Sequence, residues 1–466
     1  MQEYQLPEML RVGLEDLVLQ ILLLDLGEPS VFLMKAVNPP SALAIRNSLQ
    51  LLEGLGAVDC KWGENDDKEI KSRNGVDSGP SCSSLDVSSG LTALGFHLAT
   101  IPVDPRVGKM MIYGALFGCI DPALTIAASM SARNPFVSPF DKRDEADAAR
   151  KTFACEGSDH LTTLEAFNQW KNMRSKGNRA VQLFLRENFL SRMTLFQMED
   201  LRKQYAKLLI DIGFLPRSYR MDRAQSANKD QSKGNAPNDS NKSMHMVKAV
   251  LCAGLYPNII VASRDQKKPI GSCPFQSRKG DSVYLHPSTV SFSDEKLDSN
   301  YCCYHEIVKT TKVYVRDCTP VSEFALLLFG GNLKVYQTHG VVTIDDWLRF
   351  RISAKSATLV KHLRAQMEKM LLKKIIKPEE DIIGSPEGTA LIKAVSTLFE
   401  SETKDDSGPS NVVLNSDAHK DKASGISHHA GRGRNGGRGR GNNSGGRAGR
   451  GGRGRQNNRS QGRGGG

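Results

Sequence analysis

Two strings in this chain have the residue types of phosphate chemistry, and neither is placed to perform it. Asp144-Glu145-Ala146-Asp147 spells the acidic box with which ATP-driven motors hold a nucleotide-bound magnesium. That box works at the end of a buried apolar strand. Here Pro139 to Arg143 precede it, and Ala148, Ala149 and Arg150 follow. The context predicts the first turn of a solvated helix, where acids are favoured by the helix dipole. Gly446-Arg447-Ala448-Gly449-Arg450 has the outline of a motor's arginine motif, but it sits inside an Arg/Gly repeat with no apolar core to support it. A phosphate-binding loop needs G-x-x-x-x-G-K-[ST], whose backbone amides cradle the phosphates. No such string occurs in the 466 residues. Histidines are scattered without metal-ligand spacing, and no nucleophile triad can be assembled from the sequence. The expectation is therefore no catalytic residue, no cofactor and no metal site in this chain.

The residues that can do chemistry are cations, and the chemistry is binding. Residues 431–466 contain Arg432, Arg434, Arg438, Arg440, Arg447, Arg450, Arg453, Arg455, Arg459 and Arg463, and no acid. Ten of the twelve net positive charges thus belong to one segment. Arginine pairs with phosphate through a planar fork and stacks on bases. Glycine lets the backbone follow an irregular strand. A polyanion is the natural partner of such a tail, with RNA, single-stranded or structured, as the leading choice. A solubilising tail is the bland alternative.

A second group lies in a region of short β-forming runs. Arg264, Lys267, Lys268, Arg278 and Lys279 fall in expected loops, and Lys312, Arg316 and Lys334 fall at or near strand ends. Tyr284, Tyr314 and Tyr336 could stack on bases, but a half-buried core role is the better reading for each.

Nine cysteines occur without a C-x-x-C pair, which argues for a reducing compartment and against a disulfide scaffold. The most apolar stretch, Leu14 to Leu26, includes Glu15, Asp16 and Asp25 and is too short to span a bilayer. No basic stretch followed by an apolar one opens the chain, so no secretory signal is expected, and the cytoplasm or nucleus is the expected compartment.

These residues must be positioned by several domains. Leu14 to Leu26 is apolar nearly all round and predicts a buried helix stopped at Gly27. A short helix follows over Pro29 to Val37, and Ser41 suits the N-cap of a helix with Ile45, Leu49 and Leu52 on one face, ended by Gly54 and Gly56. With an extended piece at Ala57 to Asp59, a polar insertion at 61–90 and ordered structure again from Leu91, residues 1–103 have the layout of a winged helix. Residues 104–216 predict a helical bundle, with caps at Asp121 before Pro122, at Asp141, at Ser158, and at Thr194 paired with Gln197. Residues 217–245 are a polar linker. Val247–Cys252, Ile259–Ala262, Val283–Leu285, Lys312–Val315 and Phe324–Phe329 are expected strands of a small β-barrel, an OB-fold by preference. Leu359, Leu363, Met367 and Met370 mark a helix closing that domain at about residue 376. Residues 377–430 are expected to be flexible, and the tail, expected to be disordered, follows. The fold class is multidomain α+β.

Several strings resemble the C-terminal half of DEAH/DExH-box RNA helicases. Leu6 to Arg11 resembles the exit from the second motor lobe. Pro39-Pro40, Ala44 to Leu52 and Leu55-Gly56-Ala57 resemble the winged-helix core. Leu91 to Gly95, Ile101-Pro102-Val103-Asp104-Pro105 and Gly108-Lys109-Met110 resemble the wing end and the start of the ratchet domain. Arg133-Asn134-Pro135-Phe136, Asp159-His160 and Trp170 are similar to the ratchet pattern, which puts Arg133 among the expected RNA contacts. Val250 to Pro257, Val313 to Thr319 and Leu328 to Gly331 resemble OB strands. The likeness spans roughly residues 5–375 and is nearest to the G-quadruplex and AU-rich-element helicases, plant-type members in particular.

The resemblance implies an ATP-dependent 3′-to-5′ RNA helicase as the full-length parent, with ATP and Mg2+ as the parent's cofactors. It implies a winged helix pivoting against the motor lobes, a ratchet bundle, an OB-fold gripping the 3′ side of the RNA, and a glycine-patch activator as a further partner. This chain, without the two motor lobes, is expected to bind RNA and to be inactive alone. The other reading is a stand-alone, motor-less RNA-binding adaptor.

Overall fold

A computed structural model describes residues 7–59, 90–219, 243–262, 269–336, 340–378, 380–381 and 384–402. The polar insertion, most of the linker, Arg264, Lys267, Lys268 and every tail arginine lie outside these residues.

Three helices open the described chain: α1 (Glu15–Leu23), α2 (Pro29–Leu33) and α3 (Ala42–Leu55). α1 buries Val18, Leu19, Ile21 and Leu22, but Leu24 and Leu26 beyond it are 63% and 47% exposed, so the stretch is not buried all round. Ser41 caps α3 as expected, its side chain accepting from the Ala44 N–H, and Gly56 ends it in a left-handed conformation. Gly54 lies inside the helix. Val58 pairs with Leu91 in an isolated bridge, and α4 (Ala93–Thr100) starts immediately after, capped by Thr92. Gly95 sets the closeness of this return: a Cβ there would sit 1.9 Å from the Ala57 carbonyl oxygen.

The bundle follows: α5 (Pro105–Leu116), α6 (Ile120–Ser131), α7 (Arg143–Lys151), α8 (Asp159–Arg174), α9 (Asn178–Glu187) and α10 (Arg192–Asp211). Leu161, Leu164 and Trp170 form the buried stripe of α8, and Phe184 and Leu185 that of α9. Ser158 caps α8. Other helix starts are displaced from expectation. α6 begins at Ile120, which leaves Asp121 inside the first turn, bonded to Arg202 of α10. α10 is capped by Ser191, three residues before Thr194, and α7 starts after Lys142 rather than at Asp141. In each case a better-placed residue takes the boundary, because several short polar side chains compete for it. Lys109 of α5 is fully buried and donates to the Leu55 carbonyl at the end of α3 (2.7 Å), joining the first three helices to the bundle. Burial pulls its amine down to about 7.

Two expected strands are helices. Val247–Cys252 lies in α11 (Met244–Leu255), capped by Ser243, and Phe324–Phe329 lies in α12 (Glu323–Phe329), capped by Ser322. Both segments are buried on nearly every side, so neither shows the polar stripe that signals a helix. The resemblance of Val250 to Pro257 and Leu328 to Gly331 to OB strands is corrected accordingly. α11 packs on α5 at Gly254, where a Cβ would lie 2.7 Å from that of Met110.

The barrel is closed, in the order β1 (Ile259–Ala262), β2 (Phe275–Ser277), β3 (Ser282–Leu285), β5 (Val313–Val321), β4 (Tyr301–Lys309). All neighbours are antiparallel except β3 and β5, where Tyr284 sits opposite Tyr314. A second sheet has the order β6 (Leu333–Tyr336), β7 (Val341–Ile344), β8 (Leu348–Arg351). The closing helix is α13 (Ala354–Ile376), with Leu363, Met367 and Met370 buried and Leu359 exposed. The expected flexibility past residue 377 is corrected by α14 (Pro386–Glu402), which buries Leu391, Val395 and Phe399 at helical spacing.

Gly95→Ala should destabilise the fold by about 2 kcal/mol, because backbone rather than a flexible side chain blocks the new methyl. Urea unfolding measures this, and an unchanged midpoint would show that α4 can shift away from Ala57 without cost.

Candidate nucleic-acid interface

Ser158, Asp159 and His160 form the start of α8 and face the barrel. Asp159 is buried, and its carboxylate accepts from Arg150 Nη2 (3.0 Å), from the Val290 N–H (2.9 Å) and from the Cys318 N–H (2.9 Å). Arg150 also donates to the Ser288 carbonyl (2.5 Å), and its guanidinium covers the Phe136 ring at 5.1 Å. Burial is the largest influence on Asp159 and pushes it up to about 6, against Arg150 and the two backbone donors. Ser158 Oγ and His160 Nδ1 both hydrogen-bond with Thr319 Oγ1, at 2.6 and 2.8 Å. Bundle and barrel are therefore pinned together by a buried polar network.

Beside the pin lies a cleft of about 350 Å³ between the end of α6, the start of α8 and strands β4 and β5. Arg133 enters it from the α6 side and Arg316 from β5, with Asn134, Ser288, Glu306 and Asp317 also on its walls. His160 and His305 complete the lining. Each has a buried ring nitrogen, Nε2 of His160 and Nδ1 of His305, without a partner among the described residues. Burial pulls His160 down to about 3, helped by His305, and lowers His305, helped by Arg106. Both rings are neutral at pH 7 and can accept or donate according to tautomer. Arg316 meets Glu306 at 3.9 Å and His286 Nε2 at 3.2 Å, both on the exposed side, so its guanidinium is only loosely engaged.

The barrel surface continues the cleft. Tyr284 and Tyr314 stand side by side, ring centroids 6.4 Å apart, and Lys312 Nζ sits 4.3 Å from the Tyr284 centroid. His286 meets Tyr314 edge-on at 6.0 Å. Two half-buried aromatic rings with a lysine over one of them make a surface on which unpaired bases can stack.

The expected contact residues divide. Arg133 and Arg316 share the cleft, although 183 positions separate their numbers. Arg278 and Lys279 are exposed on the β2–β3 turn, outside the cleft. Arg278 is engaged by Asp345 of the β7–β8 turn (3.1 Å), which also accepts from the Tyr256 hydroxyl (2.5 Å). Lys267, Lys268 and the tail arginines lie outside the described residues. His160 and His305 were not singled out in the sequence as contacts. Asp144 and Glu145 occupy the exposed first turn of α7, as expected, with no strand behind them. They do not fit a magnesium–nucleotide site, and no group of metal-ligating side chains occurs among the described residues. No described helix is long and apolar enough to cross a membrane.

Comparison with known proteins identifies three domains. Residues 104–191 match the helicase associated domain (HA2), ratchet-like; residues 247–333 match the oligonucleotide/oligosaccharide-binding (OB)-fold family; residues 340–401 match the C-terminal domain in RNA helicases. The chain is 39% identical over 402 residues to the DExH-box ATP-dependent RNA helicase DExH1 of Arabidopsis thaliana, covering 86% of this chain and 36% of the relative. It is 36% identical over 431 residues to the putative ATP-dependent RNA helicase DHX57 of Homo sapiens, 85% and 29% of the two lengths. It is 36% identical over 381 residues to the human ATP-dependent DNA/RNA helicase DHX36, 81% and 34% of the two lengths. The chain spans about a third of these relatives.

His160 is neutral in the fold and titrates near 6.5 once unfolded. As pH falls from 6.5 towards 3, the unfolded chain takes up a proton that the folded chain refuses, so stability is lost across that window. His160→Gln should reduce this acid loss, measured by urea unfolding between neutral pH and about pH 4. An identical pH slope in both proteins would show that His160 is protonated in place.

Proposed function

From the homology of this chain to the C-terminal part of the DExH-box RNA helicases, we propose that its bundle and barrel form the RNA-guiding region of an ATP-dependent 3′-to-5′ RNA helicase. The observation that carries the reading is the shared cleft of Arg133 and Arg316, with two unpartnered histidine nitrogens and the Tyr284–Tyr314 surface continuing from it.

The roles follow from the chemistry of each group. Arg133 and Arg316 take phosphates through their forks. The neutral rings of His160 and His305, with Glu306 and Asp317, offer partners to ribose hydroxyls or base edges. A ribose 2′-hydroxyl both donates and accepts, so it suits a histidine nitrogen in either tautomer. Tyr284 and Tyr314 stack bases without selecting their sequence. Helices α1 to α3 with the Val58–Leu91 bridge act as a winged helix that bears on the motor lobes of the parent. The segment 431–466 supplies a salt-sensitive second grip through its arginines. ATP and Mg2+ belong to the parent's motor lobes, since the acidic string of α7 does not fit them. A glycine-patch protein is a further expected partner.

Arg133→Ala and Arg316→Ala should each weaken binding of a single-stranded RNA and flatten the plot of log affinity against log salt by about 0.7. Fluorescence anisotropy with a labelled oligouridine measures both. Unchanged affinity and slope in the double variant would remove the cleft from the RNA path.

A further inference from the structure

The outer face of the β6–β7–β8 sheet lies apart from the cleft, and the register sets its residues in two rows. Lys334 faces Thr343, which faces Arg349; Tyr336 faces Val341, which faces Arg351. Cross-strand partners share one side of a sheet. The other side, with Val342, Ile344, Leu348 and Phe350, is buried in the core. A face opposite such a core is expected to be polar, and solvated charge is the ordinary outcome.

Three observations set this face apart. Arg349 and Arg351 are two residues apart on β8, and neither guanidinium has a hydrogen-bond or ion-pair partner among the described residues. Tyr336 is 46% exposed, which leaves its ring open to a stacking base. Thr343, between Lys334 and Arg349, is only 4% exposed, and its Oγ1 has no partner among the described residues. At that exposure Thr343 forms the floor of the row, and its hydroxyl lies beneath the surface that a ligand meets. Lys334 is held by Asp346 (2.6 Å), but that pair is exposed and readily exchanged.

We propose that this face is a second RNA-binding surface, separate from the cleft, which takes successive phosphates of a single strand on Arg349 and Arg351 and one base on Tyr336. The two arginines lie about 7 Å apart along the strand, in line, so that a strand running parallel to β8 meets both. The choice of RNA over another polyanion rests on the function proposed above; the surface itself does not involve the cleft.

The test uses the full chain and a fluorescein-labelled oligouridine of about twelve nucleotides. Arg349→Gln/Arg351→Gln is expected to weaken binding and flatten the salt slope by about 1.4. Tyr336→Ala is expected to weaken binding about fivefold with the slope unchanged. Arg349→Lys/Arg351→Lys is expected to keep the slope. The same titrations on Arg133→Ala/Arg316→Ala separate the two sites: loss there with none in the sheet variants overturns this proposal and leaves the cleft standing. Loss in the sheet variants alone supports the sheet and removes the cleft. A poly-glutamate peptide that binds the parent but not the sheet variants, with RNA affinity intact, would make the face a dock for acidic protein and overturn the proposal. Because Tyr336→Ala removes no charge and no core residue, a folding defect in the arginine pair does not stand in for the result.

Discussion

A buried carboxylate must find donors for its oxygens, and Asp159 draws them from the bundle and the barrel together. Arg150 supplies one from α7, and the backbones at Val290 and Cys318 supply two from the barrel. Losing any one leaves buried polar groups unsatisfied on both sides. Ser158, His160 and Thr319 extend the same contact. The relative placement of α6, α8, β4 and β5 is thereby fixed by polar geometry, which is directional, together with the apolar core that these elements share.

The cleft is the consequence. Its walls come from segments that this network holds face to face, beside the apolar core that bundle and barrel share. Arg133 leaves the bundle just after α6, and Arg316 leaves the barrel one residue before Asp317, next to the Cys318 that binds Asp159. Burial keeps His160 and His305 neutral, so the site combines two cations with uncharged hydrogen-bonding groups and three carboxyls, those of Asp159, Glu306 and Asp317. Such a mixture suits a nucleotide, with its charged phosphate and polar sugar and base edges, better than it suits a simple anion.

The legible parts of the sequence were those with a local cause. Ser41 and Ser158 cap helices because a short polar side chain precedes an apolar period, and that pattern is written within a few residues. The barrel strands at Ile259–Ala262 and Val283–Leu285 were legible for the same reason. α11 and α12 were not, because burial on all sides erases the helical period; Ser243 and Ser322, each accepting from the N–H three residues on, were the available signal. α14 was missed although Leu391, Val395 and Phe399 repeat every four residues, since flanking polar sequence outweighed the stripe. For the site, Arg316 stood out as a cation near a strand end and Arg133 through the family resemblance, but their meeting depends on contacts between residues 159 positions apart, which no local pattern encodes. His160 and His305 are functional candidates only because of what their ring nitrogens lack, and that is a property of the fold.

An RNA strand held in the cleft would touch bundle and barrel at once. Hydrogen–deuterium exchange of the full chain, with and without single-stranded RNA, tests it most directly. Slowed exchange is expected at residues 133–136, 286–290, 305–306 and 316–317, in both domains at once. Slowed exchange on one side only, or on neither, while the RNA is demonstrably bound, would contradict it.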